Sequence, residues 1–308
     1  MNKKRTIISL FIISFLIAFH PALAEKISLK LSYNTSSISG SDLNTWLESL
    51  NSVWNDWQKA KGGQVEGHFE LFNYGPKYEV ELRIPISWGI ALNLSGNYFN
   101  SAKEGNIAYQ SHTGKQSESR FIRNEISAIP LKIGLSYSYP VPIIENLYVF
   151  ANAGRHIIFV QYKTTEDWEA FFKSFGEEFH YWYKKDNTFR SEALGFYASL
   201  GVEYDLIKYI AVVVEAEKIW SKVDGFKGPH SFKGVHPGFG DPKNGFIFEE
   251  SGKASLYFYE ENPYWTEKYY PVLSGHKERP DKEEFRNLRQ GEFSFSDFSF
   301  KIGIRFKF

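Results

Sequence analysis

The last residues of the chain, from Phe298 to Phe308, alternate strictly between apolar and polar side chains. The stretch reads FSFKIGIRFKF, and its polar positions include the cations Lys301, Arg305 and Lys307. Successive side chains of a β-strand point to opposite faces, so this segment predicts a strand with one wholly apolar face and one cationic face. If the pattern recurs, the fold must provide every strand with one apolar and one polar environment.

The pattern recurs in seven earlier segments, at residues 27–33, 78–86, 90–98, 129–139, 147–162, 194–204 and 210–217. Short connections follow the second, fourth and sixth segments. Long connections follow the others, at about 35–64, 100–125, 163–191 and 221–292. Eight spans with alternating short and long connections predict an all-β fold: an antiparallel up-and-down transmembrane β-barrel with apolar side chains outward. The long loops are predicted to be extracellular and to carry one or two short amphipathic helices.

The N-terminus has the order of a secretory signal peptide. Lys3, Lys4 and Arg5 precede a short apolar run, and Ala22-Leu23-Ala24 provides a small-residue cleavage site. We therefore expect residues 1–24 to be removed near Ala24 and residues 25–308 to form a single barrel domain. The chain has no cysteine, and its 36 basic and 36 acidic residues balance, which argues against a nucleic-acid partner. Its 18 % aromatic content is typical of proteins that meet both lipid and water.

These features resemble the small eight-stranded outer-membrane β-barrels of Gram-negative bacteria, the class of outer membrane protein A. Members of this class end in a pattern that the barrel-assembly machinery recognises, and its positions here are Lys301, Gly303, Phe306 and Phe308. The resemblance implies an outer-membrane location in contact with lipid. It also implies the secretion pathway and the assembly machinery as partners during biogenesis.

With apolar faces toward lipid, the opposite faces define the lumen. They provide five acidic and five basic side chains: Lys30, Glu79, Glu81, Arg83, Lys132, Glu203, Glu215, Glu217, Lys301 and Arg305. A barrel of eight strands is only wide enough for side chains to fill, and an unpaired charge there is costly. We expect a closed, salt-bridged lumen in which Glu215 and Glu217 pair with Lys301 and Arg305. The alternative is a narrow, ion-selective path.

Residues 41–61 have helical periodicity, with Ser41 as N-cap and Gly62-Gly63 as terminator. The predicted helix caps the barrel mouth; alternatively, it lies on the outer leaflet or binds a partner. Its apolar face comprises Leu43, Trp46, Leu47, Leu50, Val53, Trp54 and Trp57.

Six local predictions remain, four for the connections and two for irregular strands. TEDWEAFFKSF, from Thr165, is predicted to be a second short helix, and residues 245–260 a hairpin turning at Ser251-Gly252. The Gly/Pro-rich residues 228–245 are predicted to be irregular, and the aromatic residues around Tyr264 and Trp265 either bind a ligand or hold the loop together. Pro130 is expected to cause a bulge or a later strand start. HIIFV, from His156, breaks the alternation of its strand.

No motif indicates a cofactor, a metal site or catalysis. His230 and His236 lack the spacing of a metal site, and Glu66, His68 and Glu70 are more typical of a solvated strand face. G-x-S-x-G and H-E-x-x-H motifs are absent from the sequence. We therefore expect a non-catalytic barrel that anchors surface loops for recognition, adhesion or envelope integrity, with a protein or glycan ligand at the loops. A narrow channel for small solutes and an outer-membrane lipid-modifying hydrolase or acyltransferase are the alternatives.

Overall fold

The computed structural model describes residues 26–37, 41–72, 74–174, 176–235, 247–263, 266–280, 285–296 and 298–308. The predicted signal peptide, Tyr264, Trp265 and His236 lie outside these ranges. Within them, no helix has the length and apolar character needed to cross a membrane.

One helix, α1 (Ser41–Lys61), and fifteen strands make up the described secondary structure. Eight strands form the barrel: β1 (Ser28–Ser37), β3 (Tyr74–Ser87), β4 (Ile90–Gln110), β5 (Gln116–Pro140), β6 (Leu147–Ser174), β7 (Glu177–Ile207), β8 (Ile210–Trp220) and β15 (Phe298–Lys307). The others are β2 (Gln64–His68), β9 (Lys222–Val223), β10 (Lys227–Val235), β11 (Phe248–Glu261), β12 (Tyr270–His276), β13 (Arg286–Gln290) and β14 (Phe293–Ser294).

The eight barrel strands pair antiparallel in a closed ring. Each of β3 to β7 pairs with the strand that follows it, β8 pairs with β15, and β1 closes the ring between β15 and β3. Most side chains on the outer face of the ring are apolar and exposed, including Leu131, Leu194 and Phe300. The predicted all-β fold, an up-and-down barrel of eight antiparallel strands, is confirmed.

The short connections define one end of the barrel, called here the turn end. Trp88 and Gly89, with φ of 55° and 74°, join β3 to β4. Two consecutive positive φ angles are typical of the turns that join hairpin strands closely. Residues 141–146 and 208–209 form the other two connections at this end.

At the opposite end, called the loop end, four strands continue well beyond the barrel. β4, β5, β6 and β7 have 21, 25, 28 and 31 residues, whereas a bilayer requires about 9–11. Much of the predicted loops at 100–125 and 163–191 is therefore strand. The helix predicted at TEDWEAFFKSF is wrong, because residues 165–174 of this segment belong to β6, which is paired on both sides with β5 and β7.

The two faces of the long strands exchange polarity within a few residues: the inward face changes from polar to apolar, and the outward face changes from apolar to polar. The inward row that contains Lys132 and His156 is polar, whereas the next inward row contains Pro130, Ile158 and Ala193. The outward row of Leu131, Ile157 and Leu194 is apolar, whereas Ser127, Gln161 and Arg190 form a polar row farther along. This inversion is the physical reason for the broken alternation at HIIFV, because the strand passes there from a polar lumen to an apolar core.

Pro130 causes no bulge, contrary to the prediction. Gly96 pairs with Leu131 and Phe99 with Ala128, so the register between β4 and β5 is the same on both sides of Pro130. On the other side, Pro130 lies opposite Ile158 within an unbroken β5–β6 ladder. The missing donor interrupts pairing locally without shifting the strand.

Beyond the inversion, the sheet broadens into what we call the loop-end module: the outer halves of β4–β7 together with α1, β2 and β9–β14. β2 pairs with β4 at one edge, and β10, β11 and β12 follow β7 at the other. The hairpin predicted at Ser251-Gly252 is wrong, because β11 runs straight through these residues and pairs there with β10. The prediction missed β10, which begins the segment expected to be irregular.

Helix α1 lies between the two edges of this sheet. At one edge, the Asn51 side chain accepts from the Phe69 N–H at 2.8 Å and donates to the Phe69 carbonyl at 3.0 Å, and Asn44 bonds Phe72 in the same way at 2.8 Å. At the other edge, Asp56 accepts from the Tyr270 hydroxyl of β12 at 2.8 Å. Asparagine side chains thus replace the hydrogen bonds of a neighbouring strand.

The helix ends as its sequence predicts. Gly62 and Gly63 have φ of 70° and 96°, and the Gly62 N–H donates to the Gln58 carbonyl at 2.8 Å. Its predicted apolar face points into the core of the loop-end module. Leu43, Trp46, Leu47, Leu50 and Trp54 are at most 7 % exposed, and Val53 and Trp57 are half-buried.

Candidate functional site

All ten charged residues expected in the lumen are at most 5 % exposed. They occupy inward positions of β1, β3, β5, β7, β8 and β15. We call this set the lumen network.

Lys30 lies at the centre of the lumen network. Its Nζ is 2.7 Å from Glu81, 2.5 Å from Glu215 and 3.7 Å from Glu79. Oxygen atoms of these three carboxylates lie within 4.8 Å of one another, an arrangement that also suits a metal ion. The ammonium group stands where such an ion would bind, so this cluster already contains its cation.

A second layer lies nearer the loop end. Lys132 contacts Glu79 at 2.6 Å and Glu217 at 2.7 Å, and Lys301 contacts Glu79 at 2.8 Å and Glu217 at 2.7 Å. Two cations and two carboxylates therefore bridge β3, β5, β8 and β15 across the lumen. Asn97 also donates to Glu79 at 3.4 Å.

A third layer lies nearer the turn end. Arg305 donates to Glu81 at 2.8 Å and also to Glu203. The expected pairing of Arg305 with Glu215 or Glu217 is wrong: its neighbour on β8 is Ala211, and the inward carboxylates at its level belong to β3 and β7. Lys307, which contacts Glu203 at 2.7 Å and Asp205 at 2.5 Å, was missed although it continues the alternation of β15.

Neutral side chains fill the space between these layers. Asn93 donates to Asn152 at 3.0 Å, and Asn152 donates to Ser199 at 2.9 Å. The Phe150 ring lies beneath the guanidinium groups of Arg83 and Arg305, at 5.1 and 5.6 Å from its centroid. An ion that crossed the lumen would have to separate buried charge pairs, at a cost of several kcal/mol.

The residues of the terminal pattern lie on both faces of β15. Lys301 points into the lumen, whereas the Phe308 side chain is 70 % exposed. Gly303 packs against β1, and a Cβ atom there would lie 2.6 Å from the Leu31 carbonyl oxygen. The Phe308 N–H donates to the Ile27 carbonyl at 2.9 Å, so the last residue takes part in closing the ring.

The loop-end module contains a cavity of about 420 Å³, which we call the loop-end chamber. Its walls come from β5, β6, β7, β10, β11 and β12. Arg120 donates to Glu166 through Nε at 2.7 Å and Nη2 at 2.5 Å, and the Tyr183 hydroxyl donates to the same carboxylate oxygen at 2.5 Å. Lys185 donates to the Ser274 hydroxyl at 2.8 Å.

Burial and neighbouring charges alter the acidity of these groups. Burial by itself would raise the pKa of Glu166, but the charges of Arg120 and Lys185 and the hydrogen bond from Tyr183 together outweigh burial and hold that pKa below its ordinary value. Burial lowers the pKa of Lys185 and raises that of Tyr183. The chamber is therefore a partly enclosed environment, in which burial makes polar groups costly to leave without partners.

The histidines and acidic residues considered as metal ligands are placed apart. Glu66 and His68 are exposed on β2, and Glu70 pairs with Lys103 at 2.7 Å. His230 lies in the chamber wall, 2.6 Å from the Asn187 side chain.

Sequence reasoning missed the chamber because it assigned Arg120, Glu166 and Lys185 to loops. A signal was present: Ile122 and Ile126 alternate with polar residues in register with the barrel span, but with the apolar side inward. An inverted alternation that continues a predicted span identifies a strand that has left the membrane.

The sequence matches no protein-family model, and it has no significant match among curated proteins. Among solved structures, the chain is similar to the outer membrane protein OprG from Pseudomonas aeruginosa, with 9 % identity and a TM-score of 0.37; the match covers 92 % of this chain and 97 % of OprG. It is also similar to the outer membrane protease OmpT from Escherichia coli, with 11 % identity and a TM-score of 0.24, covering 94 % and 99 % of the two chains. At these TM-scores neither likeness bears on the function of this chain.

Proposed function

We propose that this protein is a non-catalytic outer-membrane barrel with a closed lumen, which holds the loop-end module at the cell surface for recognition of a ligand. The signal-peptide pattern and the terminal Phe308 pattern support export and assembly in the outer membrane. The secretion pathway and the barrel-assembly machinery are the expected partners during biogenesis. The short turns would then face the periplasm, as is usual for such barrels.

The observation that carries this proposal is the charge balance of the buried lumen network. Its five acids and five bases pair at close range, and none is more than 5 % exposed. An eight-stranded barrel leaves little room for water beside such side chains. A conducting channel would instead need a continuous wet path, so the balance favours the closed lumen over the narrow channel.

The apolar core above the lumen supports the same conclusion. Helix α1 places Trp46, Leu47 and Trp54 among buried side chains of β4, β5, β6 and β11. Helix packing of this kind both blocks the barrel mouth and fixes the loop-end module in one arrangement. A rigid scaffold that carries a surface site is a common arrangement for recognition.

Single-channel conductance of the refolded protein in a planar bilayer tests the closed lumen. The wild type should be silent, whereas the Glu215→Gln/Glu217→Gln variant, which leaves Lys30 and Lys301 with fewer partners, should leak or lose stability. Glu104→Gln, which alters an exposed pair with Arg123 outside the lumen, is the control and should stay silent. Steady, ion-selective conductance of the wild type that the double substitution alters would refute the proposal.

A further inference from the structure

The loop-end chamber differs from the lumen in its charge balance. Three cations line it, Arg120, Lys185 and Lys277, against two carboxylates, Glu166 and Glu250, which leaves one positive charge in excess. The lumen network is neutral, with five charges of each sign. The excess cation makes the chamber the better of the two interiors for an anion.

The excess charge belongs to Lys185. Arg120 is paired with Glu166 at 2.5 Å, and Lys277 is paired with Glu250 at 2.9 Å. Among the described residues, no carboxylate oxygen lies within 4.0 Å of the Lys185 Nζ, whose hydrogen bond goes to the neutral Ser274 hydroxyl. Burial disfavours the charged form of this lysine, so a carboxylate brought to it would replace a costly state with an ion pair.

The rest of the wall suits a small ring that carries hydroxyl groups. Tyr183 stacks on Trp168 at 5.2 Å and lies 5.4 Å from Phe232, which in turn lies 5.9 Å from Phe248, so aromatic rings line one side. The Tyr259 hydroxyl and the imidazole of His276 lie 3.2 Å apart on another side. Aromatic faces pack against sugar rings, and hydroxyl and imidazole groups bond their hydroxyls.

We propose that the loop-end chamber binds an acidic sugar, with its carboxylate on Lys185 and its ring against the aromatic wall. The volume of about 420 Å³ lies within the range of small-ligand sites and admits one monosaccharide unit. This proposal rests on the proposed recognition function and names its ligand class. It does not depend on whether the lumen conducts.

Binding of defined sugars to the refolded full chain in detergent micelles tests the proposal by calorimetry. The probes are glucuronate and N-acetylneuraminate, and the neutral comparison is glucose. The variant is Lys185→Met, and the matched control is Lys184→Met, because Lys184 is the adjacent residue of β7 and lies exposed near Asp167, on the opposite face. Tyr259→Phe keeps the ring but removes a chamber hydroxyl, and it serves as the second variant if Lys185→Met does not fold.

We expect at least one acidic probe to bind about tenfold or more tightly than glucose, because a hydrogen bond to a charged group discriminates by at least that factor. Lys185→Met should abolish this preference, Tyr259→Phe should weaken binding of the same probe, and Lys184→Met should change neither. Binding of neither acidic probe, equal binding of glucose, or equal loss in both lysine variants would overturn the proposal. A silent lumen with no sugar binding refutes only the chamber, whereas a conducting lumen with preserved binding refutes only the closed barrel.

Discussion

Replacing Lys30 with methionine should destabilise the barrel more than any comparable change at its surface. The substitution keeps most of the side-chain volume but removes the ammonium group that separates Glu79, Glu81 and Glu215. Three carboxylates whose oxygens lie within 4.8 Å would then face one another in a lumen that is closed to water. Like charges at this distance repel strongly in a medium of low dielectric constant.

The expected loss is about 3–5 kcal/mol in the free energy of unfolding, the usual cost of removing one partner from a buried ion pair. Lys103→Met is the matched control. Lys103 and Glu70 are also 2.7 Å apart, but their side chains are 33 % and 54 % exposed, against 1 % and 5 % for Lys30 and Glu81. Water already solvates the exposed pair, so its removal should have little effect.

Urea-induced unfolding of the refolded protein in lipid vesicles measures the difference between these variants. Adding Glu215→Gln to Lys30→Met should recover part of the loss, because it removes one of the repelling charges. The account of the lumen would be refuted if Lys30→Met cost no more than Lys103→Met, or if the double variant were the less stable of the two.

Three further predictions concern other parts of the molecule. Leu47→Ala, in the buried face of α1, should lower the stability of the loop-end module by about 2–5 kcal/mol and make the module sensitive to proteolysis. Glu48→Ala, at an exposed position of the same helix, should have neither effect. Equal protease resistance of the two variants would contradict this. The pKa of Glu166 is lower in the folded protein than its ordinary value of 4.5. The ionised carboxylate therefore stabilises the fold above pH 4.5, and this stabilisation is lost as the pH falls through the pKa of the folded state. Glu166→Gln should make the free energy of unfolding less dependent on acid pH, and an unchanged acid unfolding curve would contradict this. Gly303→Ala should impair refolding of the purified protein, because its Cβ would lie 2.6 Å from a β1 carbonyl oxygen. Phe308→Ala alters an exposed ring and should impair only assembly in cells. The reverse pattern would contradict this.

The period of two was enough to predict the barrel, because each span meets lipid on one side and polar side chains on the other. It also placed ten charges in the lumen, since every second residue of a span must point inward. It could not assign their partners. Lys132 of β5 pairs with Glu217 of β8 across the lumen, and Arg305 pairs with Glu81, which lies beyond its immediate neighbour β1. Such contacts depend on strand tilt and stagger, which no local pattern records.

Errors at the loop end have a different cause. In TEDWEAFFKSF, the spacing of Trp168, Phe171 and Phe172 imitates a helix, but hydrogen bonds from β5 and β7 decide the conformation. Similarly, Ser251-Gly252 has the composition of a turn, yet β10 supplies a partner that keeps the strand straight. In both places, tertiary pairing overrides local propensity.

The lumen and the chamber are two interiors of the same strands, and their difference follows from the solvent outside. Along the barrel part of β5–β7, the inward face carries most of the polar side chains, and a buried charge without a partner there would be very costly. Where water surrounds them, the outward face can be polar, and the inward face is free to form an apolar core with α1. Within that core, a single cation such as Lys185 can remain without a carboxylate, because the chamber opens to water at Lys277, whose side chain is 41 % exposed. A ligand site is therefore expected in the loop-end module, beyond the point where the faces exchange polarity, and a neutralised charge network is expected in the lumen.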